Sequence, residues 1–165
     1  MPENAKHAKI EEAIIELLEG ETRENALALA AYLSEERLTP NVAAWGKIAH
    51  NGFNLGSMRV EGQNNWVFEV FNYLDFGRFS DDDEEFVRVV HDHVSICEAP
   101  CHDECWRAKD AKVFGREFKS ICSQHGREFI NPDAAMIAHI IKLIGYSKQT
   151  TPYPQQYHPN NPKPE

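Results

Sequence analysis

The four cysteines of the chain lie in Cys97-Glu-Ala-Pro-Cys101-His-Asp-Glu-Cys105 and Cys122-Ser-Gln-His125. Thiolates gathered this closely can share a metal, a disulfide or a redox task, whereas scattered ones usually fill core space. Cys97, Cys101 and Cys105 recur at every fourth residue, and His93 extends that step upstream. One continuous helix would stack them on a single face. Pro100 prevents this, because it removes a helical hydrogen bond and clashes with the preceding turn. The expected arrangement is a helix ending near Cys97 and a second starting at Pro100, with Cys101 and Cys105 sharing a face. A C-x3-C-x3-C-x16-C spacing falls within the range zinc sites allow without being diagnostic. Zinc held by Cys97, Cys101, Cys105 and Cys122 would be a closed structural site. Three thiolates with His93, His102 or His125 would serve as well, and an iron–sulfur cluster is a third arrangement. A dithiol switch and inert buried thiols stay open beside the metal.

A second constellation is His91-Asp92-His93. On a strand the two imidazoles would face one way and could chelate a catalytic zinc, giving a metal-assisted hydrolase; on a helix they diverge by about 200°. The valines before them favour helix. Ser57 lacks the strand-to-helix elbow of a hydrolase nucleophile. Trp45, Phe53, Trp66, Phe68, Phe71, Tyr73, Phe76 and Phe79 concentrate aromatic surface in the middle of the chain. Core packing accounts for most such clusters, and a cleft for a small apolar molecule, lined by Trp45, Trp66 and Phe68, is the alternative.

Composition bounds these readings. The 165 residues are 42% hydrophobic and 26% charged, the balance of one globular domain. No apolar run approaches the ~20 residues of a membrane helix. The N-terminus lacks a basic region followed by an apolar core, which points to a cytoplasmic protein with reduced thiols. The net charge of -9 opposes direct contact with phosphate backbones. The run Asp81-Asp82-Asp83-Glu84-Glu85 reads as a solvated face, or alternatively as an acidic inhibitor that mimics nucleic acid toward a basic partner.

The elements that must position these residues follow from periodicity. Ile10, Ala13, Ile14, Leu17 and Leu18 line one stripe of a first helix stopped by Gly20, and Thr22 is the expected cap of a second through Glu36. Asn51-Gly52 between apolar runs predicts a hairpin, and a turn at 61–64 leads to Trp66-Val67-Phe68-Glu69-Val70-Phe71, dense in strand formers. Ser80 is the expected cap of a third helix. Short helices are expected on either side of Gly115. Asn131-Pro132-Asp133 starts the last helix, with Asn131 as cap and Gly145 as its end. The expected fold is α+β: a three-stranded or slightly larger antiparallel meander with about five helices. Residues 1–146 form the domain, the cysteine segment 97–125 lies within it, and 147–165 is a proline-rich disordered tail.

Val113-Phe114-Gly115-Arg116-Glu117-Phe118-Lys119-Ser120-Ile121-Cys122, then Phe129-Ile130-Asn131-Pro132-Asp133 and a Lys-Leu-Ile helix, resembles a group of uncharacterised small bacterial α+β proteins. Leu38-Thr39-Pro40 and the hairpin before the tryptophan strand are similar too, so the likeness spans about residues 38 to 145. Some members resemble, distantly, effector-binding domains of the GyrI-like kind. That resemblance implies an apolar ligand against the sheet and a carboxylate at the pocket centre, for which Glu69 is the match. The function expected is a small binding module with a zinc-stabilised cysteine segment, holding a small apolar ligand or a protein partner.

Overall fold

The computed structural model describes residues 9–41, 46–71, 75–97, 108–122 and 126–150. Strand β1 (Lys47–His50) turns through Asn51 and Gly52 into β2 (Phe53–Gly62). Both turn residues have positive φ, 49° and 82°, the conformation that matches the twist of a tight hairpin. A second turn containing Asn64, φ 51°, leads into β3 (Asn65–Val70). The meander is therefore as expected. It gains a fourth strand, β6 (Arg127–Ile130), antiparallel to β3, so the sheet order is β1-β2-β3-β6.

One face of this sheet carries Met58, Val60, Trp66, Phe68, Val70 and Phe129, all buried. Alternation along each strand puts these side chains on a common side. Helices α1 (Ile10–Leu17), α2 (Gly20–Glu35) and α4 (Ala134–Ser147) supply further core residues. α1 packs on β2 and on α2, and α2 on α4. The corner between α1 and α2 is closed by Asn64 at the hairpin tip, whose N–H donates to the Leu17 carbonyl at 2.9 Å. Its Oδ1 accepts the Glu19 N–H at 2.8 Å. α2 thus starts at Gly20, before Thr22, and has no side-chain cap.

Two other expected caps are displaced for visible reasons. Helix α3 (Glu84–Asp92) is capped by Asp83, whose Oδ1 accepts the Phe86 N–H at 3.0 Å, and not by Ser80. Asp133 caps α4 by accepting the Met136 N–H at 2.8 Å. Asn131 is engaged elsewhere: at φ 45° its Oδ1 accepts the Trp66 N–H at 2.9 Å and its Nδ2 donates to the Asn64 carbonyl. Asn131 ties β6 to β3, and the helix starts after it. α4 also runs past Gly145 to Ser147, whose hydroxyl donates to the Leu143 carbonyl. Beyond it, Lys148 pairs with Glu36 and Thr150 donates to the Asp75 carbonyl. The packed chain therefore runs at least to Thr150, and the rest of the proline-rich stretch lies outside the described residues.

The largest correction falls after α3. Residues on either side of Gly115 form strands, β4 (Ala108–Val113) and β5 (Arg116–Cys122), paired antiparallel as a separate two-stranded sheet. Phe114 and Gly115 make the turn with φ 42° and 84°, again the double positive-φ signature of a tight hairpin. A helix would require both residues at negative φ. The described residues therefore contain four helices and six strands.

Candidate functional site: the cysteine strands

α3 ends at Asp92, so Cys97 is not on a helix. Ser95, Ile96 and Cys97 instead run antiparallel to the end of β5, with an isolated bridge between Ile96 and Ile121. The Cys97 N–H donates to the Ser120 carbonyl at 2.8 Å, and the Cys122 N–H to the Ser95 carbonyl at 3.2 Å. Bonds in those positions bracket Ile96 and Ile121 as a non-hydrogen-bonded pair. Cys97 and Cys122 are consequently diagonal neighbours across two strands. On the other side of β5, Ala108 pairs directly with Cys122. The chain leaves this place at Cys97 and returns to it at Ala108. Both ends of the stretch that carries Cys101 and Cys105 are thus anchored beside the strand of Cys122. Cys122 is buried and Cys97 half-buried. Cys101, Cys105, His102 and His125 lie outside the described residues, as does Trp45.

The diagonal placement bears on the chemistry open to the two thiols. Diagonal residues of an antiparallel pair sit roughly 7–8 Å apart, beyond the ~6.8 Å that a disulfide normally spans between Cα atoms. Two thiolates each about 2.3 Å from one zinc stand nearly 4 Å apart at sulfur, which suits the wider pair.

The two histidines go to different places. His91 Nε2 donates to the Val113 carbonyl at 2.8 Å, and its ring meets Phe118 edge-on. His93 Nδ1 donates to the Val89 carbonyl at 2.8 Å, and its ring stacks on Phe129 at 4.4 Å. A carbonyl can only accept, so each tautomer is assigned by its partner. One imidazole thus serves the β4–β5 hairpin and the other the main sheet.

Trp66 and Phe68 are fully buried on the helix-covered face. Glu69 points to the opposite face, 7% exposed, and both of its carboxylate oxygens accept hydrogen bonds. Oε1 accepts the Gly126 N–H at 2.6 Å. Oε2 accepts Arg59 Nη1 at 2.9 Å and the Ser57 hydroxyl at 3.2 Å. Ser57, Glu69 and Glu128 stand in register across β2, β3 and β6, and Arg59 reaches Glu128 as well at 3.3 Å. Burial opposes the charge on Arg59, but Glu69 and Glu61 outweigh it and hold the guanidinium more firmly protonated than usual. The carboxylate that the resemblance placed at a pocket centre is here the hub of a three-strand ionic network.

Two features had no clear signal in the sequence. The acidic run is partly neutralised from α4: Lys142 Nζ reaches Asp81 at 2.8 Å and Asp83 at 3.2 Å, and the Tyr146 hydroxyl donates to Asp81. Burial, the largest single influence, pushes the Asp81 carboxyl up, yet Lys142, the Asp83 N–H and Tyr146 together outweigh it and hold the group below the ordinary range. The other is Lys109 on β4, whose amine burial pushes down to about 8, with nearby Arg127 adding to the effect and Asp75 opposing it.

Among the described residues no helix is long and apolar enough to cross a membrane. Comparison with known proteins gives no matching family model, curated protein or solved structure.

Proposed function

We propose that the chain is a small binding module whose cysteine segment is closed by a structural zinc on Cys97, Cys101, Cys105 and Cys122. The observation that carries this reading is the anchoring of Cys97 and Ala108 on either side of β5 at Cys122. A stretch tethered at both ends beside one thiol keeps its own two thiols at high local concentration around it. Soft thiolate donors select zinc over the harder divalent ions. A closed four-thiolate site stabilises the fold and leaves no open position for substrate. The work of the module then falls to its surfaces, where a small molecule or a protein partner would be held.

The test is elemental analysis of the full chain after gel filtration. One zinc per chain, lost when Cys101 and Cys105 become serine, supports the proposal. Zinc retained in that double variant but lost in His91→Ala with His93→Ala transfers the reading to a metal-assisted hydrolase. A metal-free chain with intact thiols refutes the clip.

A further inference from the structure

A cavity of about 210 Å³ opens at the edge of the main sheet, between the end of α3 and the start of α4. Three hydrogen-bond acceptors stand among its lining residues. His93 donates through Nδ1 to Val89, so the neutral ring presents Nε2 as an acceptor, and that nitrogen has no hydrogen-bond partner among the described residues. Asp133 spends Oδ1 on the Met136 N–H, which leaves Oδ2. Ile130 contributes a third acceptor from its backbone. The Asn131 N–H bonds the Trp66 carbonyl, which makes Val67 and Ile130 a non-hydrogen-bonded pair. The Ile130 carbonyl and N–H therefore face away from β3, toward the open edge of β6. Asn131, Pro132, Met136 and Phe129 beneath the histidine ring complete the wall.

We propose that this cavity binds a primary ammonium ion carried on a short apolar body. An ammonium head has three N–H donors and no acceptor, the complement of an imidazole nitrogen, a carboxylate oxygen and a peptide carbonyl. Its hydrocarbon lies against Met136 and Pro132. An anion is the poorer fit, because the N-terminal turn of α4 is already capped by Asp133, whose full charge outweighs the roughly half-unit positive end of the helix. The chain's net charge of -9 further enriches cations at the surface. Ile130 is 65% exposed at the mouth, so the site is open to diffusing ligand.

Titration of the full chain with n-butylammonium, read by calorimetry and by the His93 side-chain nitrogen resonances, tests the assignment. Saturable binding with a shift at His93 Nε2 is expected. n-Butyltrimethylammonium, which has the same charge and no N–H donors, should bind about tenfold more weakly or worse. His93→Phe keeps a ring on Phe129 and removes the acceptor; Asp133→Asn keeps the cap oxygen and removes the charge. Each should weaken the primary amine by about tenfold in a chain that stays folded, His93→Phe with a lower melting temperature because it also removes the bond to Val89. Absence of saturable binding, or equal binding of the trimethyl analogue by the parent chain, overturns the proposal. So does undiminished affinity in both folded variants.

Discussion

The Gly126 amide lies 2.6 Å from Glu69 Oε1, and a Cβ on Gly126 would fall 2.3 Å from Glu69 Cγ. The glycine is there because the backbone must come that close to a buried carboxylate, not because the turn needs positive φ. Gly126→Ala therefore has to push β6 off β3 or turn the glutamate away. A loss of about 2 kcal/mol, in the range of core overpacking, is expected in urea denaturation. An unchanged midpoint would mean that the contact relaxes freely.

Removing the charge of Glu69 without changing its size separates packing from electrostatics. Glu69→Gln leaves Arg59 with Glu61 and Glu128, both more exposed than the lost partner. A cost of about 1–3 kcal/mol follows from weakening a mostly buried pair that keeps other carboxylates nearby. Ser57→Ala added to Glu69→Gln should then cost less than the sum of the single changes, since both side chains share Arg59. Strict additivity in that cycle would deny the network.

Lys109 gives a pH dependence of definite sign. Its folded value of about 8 lies below the ordinary 10.5, so between those limits the unfolded chain binds more protons than the folded one. Stability should rise with pH across that window and be lower by the full effect beneath it. Lys109→Met removes the penalty, and should stabilise the protein near neutral pH by on the order of 1 kcal/mol after allowance for solvent screening. The gain should vanish above the upper limit. A gain independent of pH would assign it to packing alone.

What the sequence made legible was what local chemistry dictates. Asn51-Gly52 announces its turn because few other pairs accept two positive φ values, and the alternating strands beside it follow. Phe114-Gly115 makes the same kind of turn, yet in the sequence Gly115 looks like an interruption between helices. Phenylalanine is an unusual occupant of that conformation, and Lys109, Asp110, Lys112 and Glu117 dilute the strand pattern around it. β6 is only four residues long and two of them are charged. Its identity depends on pairing with a strand far upstream, which no local window contains. The Ser57–Glu69–Glu128 row was hidden for the same reason, because it exists only once the register of three strands is set. The clustering of cysteines was visible, whereas the strands that deliver Cys97 and Cys122 were not.

The caps separate structural from interactive roles for the acidic run. Asp83→Ala should lower the melting temperature, while Ser80→Ala, at a position that caps nothing, should be nearly neutral in thermal unfolding. Asp81 and Asp83 both have carboxyls held below their ordinary 3.8. Their contribution is therefore complete above that value and is lost as pH falls through the lower folded values. Lys142→Met should flatten that acid limb. An acid limb indifferent to Lys142 would leave the run as a solvated face.

Removal of the proposed zinc should act locally before it acts globally. β1, β2, β3 and β6 share a core with α1, α2 and α4, and the β4–β5 hairpin, a sheet of its own, adds only Val113, Phe114 and Ile121 to the buried residues of that core. A chelator at neutral pH should therefore accelerate amide hydrogen exchange in Ala108–Val113, Arg116–Cys122 and Ser95–Cys97 while Phe53–Gly62 and Asn65–Val70 keep their protection. Acid should do the same, because protons compete with metal for thiolate. Cys122→Ser is expected to reproduce the chelated pattern without chelator. If exchange in the β4–β5 hairpin is the same with and without chelator, the hairpin is held by Phe114, Val113 and Ile121 alone, and the thiols of Cys97 and Cys122 are packing groups.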